Sequence, residues 1–203
     1  MLSKNQIKYI SSLKIKKFRQ QSQAFVVEGY KSVLELLASD YAVELVVVTD
    51  EFQQKYGSIL TPPRAQLLLA SPSEMERLGA FQSNDSCLAV AKTKDSVFLC
   101  AQVGEYALML DDIRDPGNLG TILRIADWYG FTKIICSPNT TDFYNPKVIA
   151  ASKGSFTRVQ AFYTDLPDFI KQHSAGLPLI GALLDGNSLY GFSFPGRGGY
   201  IVM

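Results

Sequence analysis

The sequence is poor in the residues that build disulfides, zinc sites and histidine-dependent catalysis. Its 203 residues include three cysteines and one histidine. Cys87, Cys100 and Cys136 lie far apart and none belongs to a C-x-x-C pair. This spacing argues against a disulfide framework or a metal site and is typical of a reducing compartment. His173 has no nucleophile motif beside it, so we interpret it as an exposed helical residue.

Long apolar runs and glycine-rich phosphate motifs are absent as well. No apolar run approaches about 18 residues and the N-terminus has no apolar signal core, so we expect a soluble cytoplasmic protein without a membrane partner. Neither G-x-x-x-x-G-K-[ST] nor G-x-G-x-x-G occurs. A P-loop or a standard dinucleotide site is therefore disfavoured, and a nucleotide-dependent reductase or kinase is the weakest alternative.

The composition favours a folded protein with a substantial core. Hydrophobic residues make up 47% of the chain and charged residues 19%, which is typical of globular rather than disordered proteins. The length suits one large domain or two small ones. Because the net charge is only +1, any nucleic-acid partner must meet a local basic patch.

Basic residues are concentrated at the N-terminus. Residues 1–27 carry six of them and no acidic residue. A basic helix such as "KYISSLKIKKFRQ" can neutralise phosphates. From its residues alone, the preferred alternative is a solvated amphipathic helix with Ile7, Ile10 and Leu13 facing inward.

The first hundred residues predict a small parallel or mixed sheet with interspersed helices. A short strand precedes a helix from about Tyr30, and a buried strand covers 43–50. "TPPRAQLLLAS" predicts a turn and a strand, and "SPSEMERLGA" predicts a helix that is capped by Ser71 or Ser73 and ended by Gly79. A further strand covers 85–94, and 93–105 is the candidate linker.

The second half alternates strands with helices, which predicts right-handed crossovers and a mainly parallel sheet. The predicted strands cover 106–113, 132–137, 156–163, 177–185 and 198–203. Three helices are predicted between them. The first is "LGTILRIADWYG", which Asn118 caps and Gly130 ends. The second is "NPKVIAASKGS", with an Asn cap and a Gly at its end, and the third is "DLPDFIKQHS".

Ligands of open α/β sheets bind beyond the carboxyl ends of the strands. We therefore expect Asn118, Arg124, the 139–147 loop and Leu183 to Gly186 to share a crevice. Arg124 lies off the apolar stripe of its helix. Spacing alone favours a solvated arginine, but a guanidinium in this position can also hold a phosphate bidentately.

The stretch "DPGNLGTILRIADWYGF" resembles the first motif of the SpoU family of RNA 2′-O-ribose methyltransferases. The matching residues are Asn118, Gly120, Arg124 and Ala126, with Gly130 in the turn that follows. "NPKVIAASKGS" and the strand "LIGALL" come next in the order of the family. "FVVEGYKSVLELL" resembles the L30e-like RNA-binding domain of many members, so the resemblance spans nearly the whole chain.

The resemblance implies an α/β fold in which a small L30e-like domain, residues 1–98, precedes a parallel-sheet α/β-knot (SPOUT) domain, residues 104–203, that is incomplete at its C-terminus. It implies transfer of a methyl group from S-adenosylmethionine to a ribose 2′-hydroxyl of rRNA or tRNA, by a homodimer. Arg124 would activate the hydroxyl and Asn118 would help order the site. Ala182, Leu183 and Leu184 would form one wall of the cofactor pocket.

The resemblance also raises the weight of an RNA interface. Tyr144 and Tyr190 are more simply interpreted as ordinary partly buried aromatics than as residues that stack on bases. The predicted RNA-binding residues are Lys4, Lys8, Lys14, Lys16, Lys17, Arg19, Glu28, Arg114, Lys147 and Lys153.

One departure from the family concerns its second and third motifs. In the family a strand like "GGYIVM" leads into Gly-Asn-Glu and later into Ile-Pro and Ser-Leu-Asn, which do not occur in these 203 residues. We therefore expect methyl transfer by this chain to be weak or absent. The alternative function is a non-catalytic RNA-binding or dimerising module, and cofactor binding discriminates between the two.

Overall fold

The computed structural model describes residues 2–57, 65–79, 86–174 and 176–203. These residues form two α/β units, one around a four-stranded sheet and one around a five-stranded sheet. The segment between the sheets, residues 93–104, has no regular secondary structure. The turn predicted at 61–64 lies outside the described residues, and the domain limits 1–98 and 104–203 stay a prediction.

The first unit contains a mixed sheet, because β4 runs antiparallel to both of its neighbours while β2 and β3 are parallel. The strand order is β1-β4-β2-β3. Its elements are α1 (Lys4–Ser12), α2 (Lys16–Ser22), β1 (Ala24–Glu28), α3 (Tyr30–Leu37), β2 (Val43–Val48), α4 (Asp50–Tyr56), β3 (Gln66–Leu69), α5 (Pro72–Leu78) and β4 (Cys87–Lys92).

Local capping decides the limits of several of these elements. Ser71 caps α5 and Gly79 follows it, as predicted. The strand predicted over 43–50 ends at Val48, because the Thr49 hydroxyl accepts the Phe52 N–H and starts α4, a helix that the sequence analysis missed. The basic segment forms two helices, α1 and α2, rather than one. The prediction that Ile10 and Leu13 face inward is confirmed, since both are fully buried.

The second unit contains a five-stranded sheet in which all paired strands are parallel, as predicted. The strand order is β7-β6-β5-β9-β8. Its elements are β5 (Glu105–Leu110), α6 (Pro116–Trp128), β6 (Lys133–Cys136), α7 (Pro146–Ser152), β7 (Gln160–Tyr163), α8 (Leu166–His173), β8 (Leu179–Gly181) and β9 (Gly198–Val202). No helix in the described ranges is long and apolar enough to cross a membrane.

Two predictions for this unit were wrong in detail. Asp115, rather than Asn118, caps α6: its Oδ1 accepts the Asn118 N–H at 2.8 Å, and Pro116 occupies the first helical position, for which its fixed φ suits it. The strands predicted over 156–163 and 177–185 are shorter. Residues 155–157 form a 3-10 turn before β7, and β8 ends at Gly181.

An aromatic cluster joins the two units. The Phe25 ring of β1 lies 4.6 Å from the Tyr144 ring and 5.9 Å from the Phe156 ring, measured between centroids. Phe25 and Phe156 are fully buried, and Phe25, Tyr144 and Phe156 belong to one hydrophobic cluster that also includes residues of both sheets. Burial of these large aromatic side chains is the main interaction that stabilises the contact between the two units.

Two ion pairs reinforce the join. The Arg19 Nη2 lies 2.5 Å from the Asp142 Oδ2, and the Arg19 side chain is almost completely buried. Arg158 contacts both Glu35 of α3 and Asp127 of α6. The Arg158 hydrogen bond lowers the pKa of the Asp127 carboxyl. The two units therefore keep a defined relative orientation, and the cleft between them has a defined shape.

We predict that Gly120→Ala destabilises the protein. A Cβ atom at Gly120 would lie 2.5 Å from the Ala151 Cβ and 2.6 Å from the Val148 carbonyl oxygen, so α6 and α7 would have to separate. Overpacking of this kind costs about 1–3 kcal/mol, which exceeds the gain of roughly 1 kcal/mol in helix propensity. Urea unfolding measures the change. Gly117→Ala is the matched control in the same helix, since its Cβ would meet only the Asp115 Oδ1, at 3.0 Å.

Candidate active site and nucleic-acid interface

The strand order places a switch point between β5 and β9. The connections from β5 lead to β6 and β7 on one side, whereas β9 and β8 occupy the other side. At the carboxyl ends of β5 and β9, the Asp111 N–H donates to the Met203 carbonyl oxygen at 2.9 Å. Such switch points are where open α/β sheets bind their ligands, so this edge is the candidate active site.

The turn after β5 is braced by the loop that follows β6. Asp112 adopts a left-handed backbone with φ 57°, and its N–H donates to the Ser137 hydroxyl at 2.8 Å. The Thr140 hydroxyl donates to the Leu110 carbonyl oxygen, and the Thr141 N–H donates to the Ile113 carbonyl oxygen at 2.9 Å. The start of the predicted 139–147 loop therefore contacts the turn that leads into α6.

Asn118 and Arg124 are both exposed on α6. They are six residues apart, which is about 9 Å along the axis and roughly 120° around it, so they do not share one face. The Arg124 guanidinium has no hydrogen-bond or ion-pair partner among the described residues. By contrast, Arg19, Arg114 and Arg158 each contact a carboxylate.

The residues predicted as a cofactor wall lie beyond β8. The Ala182 N–H donates to the Val202 carbonyl oxygen at 3.3 Å, which continues the pairing of β8 with β9. Leu183 and Leu184 then project into solvent, with 77% and 105% of their surface exposed. They are separated from β5 by the width of β9, so the structure does not bring them to Arg124.

A cleft of about 710 Å³ separates the first unit from the helices of the second. It is bordered by the end of β1, the start of α3, the start of α6 and the end of α7. Three predicted RNA-binding residues line it, namely Glu28, Lys147 and Lys153. The cleft also contains Lys31 and Ser32, which the sequence analysis missed, although "EGYKS" combines a glycine with polar residues at a helix start.

The other predicted RNA-binding residues differ in their surroundings. Lys4, Lys8, Lys16 and Lys17 are exposed on α1 and α2. Arg114 is exposed, with its Nε 2.9 Å from the Asp112 Oδ1. The Lys14 Nζ donates to the Gly79 carbonyl oxygen at 2.6 Å, at the end of α5. The structure contradicts the prediction for Arg19, because its buried guanidinium contacts Asp142 and two backbone carbonyl groups and is not accessible to RNA. For the other residues RNA binding stays a prediction.

The two tyrosines considered for base stacking differ as well. Tyr144 packs against Phe25, and its hydroxyl accepts the Lys94 N–H at 2.9 Å. Burial raises the pKa of Tyr144 above its ordinary value. The interpretation of Tyr190 as a partly buried aromatic was wrong, because the residue is fully exposed in the segment after β8. Tyr144 is thus part of the join between the units rather than a surface residue.

Comparisons with known proteins decide the family. Residues 105–203 match the model of the SpoU rRNA methylase family, and residues 4–89 match that of the MRM3-like substrate binding domain. A Porphyromonas gingivalis protein assigned to the TrmH family of RNA methyltransferases is 33% identical, with a TM-score of 0.86. That comparison covers 100% of this chain and 80% of the other. The chain belongs to the SpoU family.

Other relatives agree with the SpoU assignment. The 23S rRNA (guanosine(2553)-2′-O)-methyltransferase RlmP of Bacillus subtilis is 27% identical over 190 residues, which are 93% of this chain and 74% of the relative. The AdoMet-bound structure of an rRNA methyltransferase from Sinorhizobium meliloti is 25% identical, with a TM-score of 0.83. It is matched over 100% of this chain and 78% of its own length.

Two cysteines of this SpoU chain are unsuited to nucleophilic chemistry. Burial raises the pKa of the Cys87 thiol and of the Cys136 thiol to about 12. Since the thiolate is the nucleophile, both side chains are inert near neutral pH. Cys100 is partly exposed. Within the described ranges, no group of three or more His, Cys, Asp and Glu side chains is arranged to hold a metal ion.

We predict that a thiol reagent such as DTNB at pH 8 modifies Cys100 and leaves Cys87 and Cys136 unmodified. The raised pKa and the burial of the latter two thiols both oppose reaction. Mass spectrometry of the labelled peptides locates the modification, and all three cysteines should react in denaturant. Rapid labelling of Cys136 in the folded protein would contradict the burial that the fold gives it.

Proposed function

We propose that this protein transfers a methyl group from S-adenosylmethionine to a ribose 2′-hydroxyl of ribosomal RNA. The observation that carries the proposal is the exposed Arg124, which has no partner among the described residues and lies on the helix that follows the switch-point strand. The likeness to an AdoMet-bound rRNA methyltransferase and to a 23S rRNA 2′-O-methyltransferase supports it. The same likeness favours catalysis over a non-catalytic module.

The residues beyond β8 fit one side of such a cofactor. Leu183 and Leu184 offer exposed apolar surface for the adenine ring. Their backbone N–H groups have no partner among the described residues and suit the ring nitrogens of adenine. Ala182, Leu183 and Leu184 would therefore hold the adenosine portion. When bound, S-adenosylmethionine supplies an activated electrophilic methyl group.

Arg124 would act on the nucleophile. A ribose hydroxyl attacks poorly until its proton is drawn off or the developing negative charge on its oxygen is stabilised. A guanidinium stays charged at neutral pH, and its planar N–H groups can hold an RNA phosphate beside the hydroxyl. Arg124 would thus lower the pKa of the hydroxyl or direct a phosphate oxygen to take its proton. Asn118 would help order the turn at the start of α6.

We also propose that the protein is a homodimer in the cytoplasm. Next to Arg124, α6 exposes Ile125, Trp128 and Tyr129, the last two by 85% and 72%. Apolar side chains of this size on one helix are typical of a protein–protein interface. Pairing through this face would place Arg124 of each subunit near the interface. A cytoplasmic location suits the three free cysteines, and the mass in solution tests the dimer.

The RNA interface would combine the N-terminal lysines with the cleft. Lys4, Lys8, Lys16 and Lys17 carry no ion pair among the described residues and would contact phosphates. Lys147 and Lys153 would do so from the second unit, and Arg114 from the turn before α6.

We predict that Arg124→Ala lowers methyl transfer to ribosomal RNA by about 100-fold or more, since general acid–base assistance and charge stabilisation each contribute at least about that factor. RNA affinity should change little, because one of many cationic contacts is lost. Transfer of labelled methyl groups from S-adenosylmethionine and filter binding of the RNA measure the two effects.

Arg77→Ala is the matched control, since Arg77 is an exposed arginine in the last turn of α5. Its methyl transfer should equal that of the unchanged protein. Arg124→Lys should restore little activity, because an ammonium group lacks the planar pair of donors. Undiminished transfer by Arg124→Ala would remove the residue from the mechanism.

A further inference from the structure

The cleft between the two units contains three cationic side chains from separate elements. Lys31 lies in the first turn of α3, Lys147 in the first turn of α7, and Lys153 directly after α7. All three are exposed, and none has a hydrogen-bond or ion-pair partner among the described residues. Lys92, Lys94 and Lys133, in contrast, each contact a carboxylate.

Ser32 provides a second and independent feature of the same cleft. The residue lines the cleft although only 6% of its surface is exposed. Its hydroxyl has no hydrogen-bond partner among the described residues and is not sealed from the cleft. The hydroxyl of an otherwise buried residue that opens onto a cleft is available to donate a hydrogen bond to a ligand there.

The start of α3 adds backbone donors at this position. Its N-cap is Gly29, with φ 86°, which provides no side-chain acceptor. The N–H groups of Tyr30, Lys31 and Ser32 therefore have no partner within the described residues. Helix starts with free N–H groups attract anions through those donors and through the helix dipole.

The net charge of the side chains that line the cleft indicates which kind of anion the cleft would bind. Besides the three lysines, the carboxylates of Glu28 and Asp115 border the cleft. Together these five side chains carry one excess positive charge. The Asp115 Oδ1 already accepts the Asn118 N–H. A single phosphodiester group carries one negative charge and several acceptor oxygens, and thus matches both the excess charge and the donors.

We propose that this cleft binds one phosphodiester group of the RNA strand that enters the active site, with Ser32 and the first N–H groups of α3 as hydrogen-bond donors and Lys31, Lys147 and Lys153 as cations. The inference rests on the proposed function, because it assigns part of the RNA site. Arg124 lies eight residues after Pro116, about 12 Å along α6 from the cleft. The cleft would thus hold a backbone group near the target nucleotide rather than the target ribose itself.

The test is the salt dependence of RNA binding by the full chain without cofactor. The probe is a short fluorescently labelled single-stranded RNA, and fluorescence anisotropy gives the affinity at several salt concentrations. Each phosphate of a single strand that a protein neutralises contributes about 0.7 to the slope of log affinity against log salt concentration. Because the cleft would hold one phosphate, the triple variant Lys31→Gln, Lys147→Gln, Lys153→Gln should reduce the slope by about 0.7 and weaken binding equally for different sequences.

Ser32→Ala tests the hydroxyl separately. It should weaken binding severalfold without changing the slope, since it removes a hydrogen bond and no charge. Lys171→Gln is the matched control, because Lys171 is an exposed lysine on α8 and does not line the cleft. Its slope and affinity should equal those of the unchanged protein. Thermal unfolding verifies that each variant is folded.

The outcomes separate this inference from the proposed function. An unchanged slope in the folded triple variant would overturn the inference, while methyl transfer to RNA could still stand. A reduced slope in a protein that transfers no methyl group would support the cleft as an RNA site and count against the enzyme. Inorganic phosphate and unlabelled RNA are also compared as competitors of the labelled RNA. If both displace it equally at the same concentration of phosphate groups, the assignment of the cleft to an RNA backbone would be overturned.

Discussion

The rings of Phe25, Tyr144 and Phe156 join the two sheets, and the positions of the proposed RNA contacts depend on this join. Phe25 belongs to the first unit, and the other two rings belong to the second. Because the contact is apolar and buried, it fixes the two units without using the surface charges. The ion pairs of Arg19 and Arg158 restrict the orientation further. The cleft is the space that this arrangement leaves open.

A carboxylate partner distinguishes the cationic side chains that stabilise the fold from those that are available to bind a ligand. Arg19 and Arg158 cross between the units and contact carboxylates. The Arg19 side chain is almost completely buried, so removing its partner Asp142 would be costly. Arg124 and Lys31 have no such partner among the described residues. Sequence spacing cannot separate these groups, because an arginine on a helix looks the same whether its partner is a distant aspartate or RNA.

Most of the strand and helix order was predictable, because it depends on local patterns, but α4 was missed and the basic segment forms two helices. The parallel sheet follows from alternating apolar runs, and Ser71 and Asn145 cap their helices as the sequence indicates. The first turn of α6 was not assigned correctly. Asp115 and Asn118 are both good caps, and the local signal that favours Asp115, the proline at the first helical position, was not used.

Long-range contacts account for the other differences. Arg19 was placed in an RNA-binding segment, yet its partner Asp142 lies far along the chain. The contribution of Lys31 and Ser32 depends on α7 lying opposite α3, which no local pattern records. The resemblance of residues 115–131 to a SpoU motif identified Arg124 as important. It did not show that Arg124 and Leu183 lie on opposite sides of β9 in this chain.

The most direct test of the account is the chemical position of the transferred methyl group. The protein is incubated with ribosomal RNA and S-adenosylmethionine that carries an isotope-labelled methyl group, the RNA is digested to nucleosides, and the products are separated by mass spectrometry. The account predicts that the label, however slowly it accumulates, appears in a nucleoside methylated on the ribose 2′-oxygen. Label on a base, with the ribose unmodified, would contradict it.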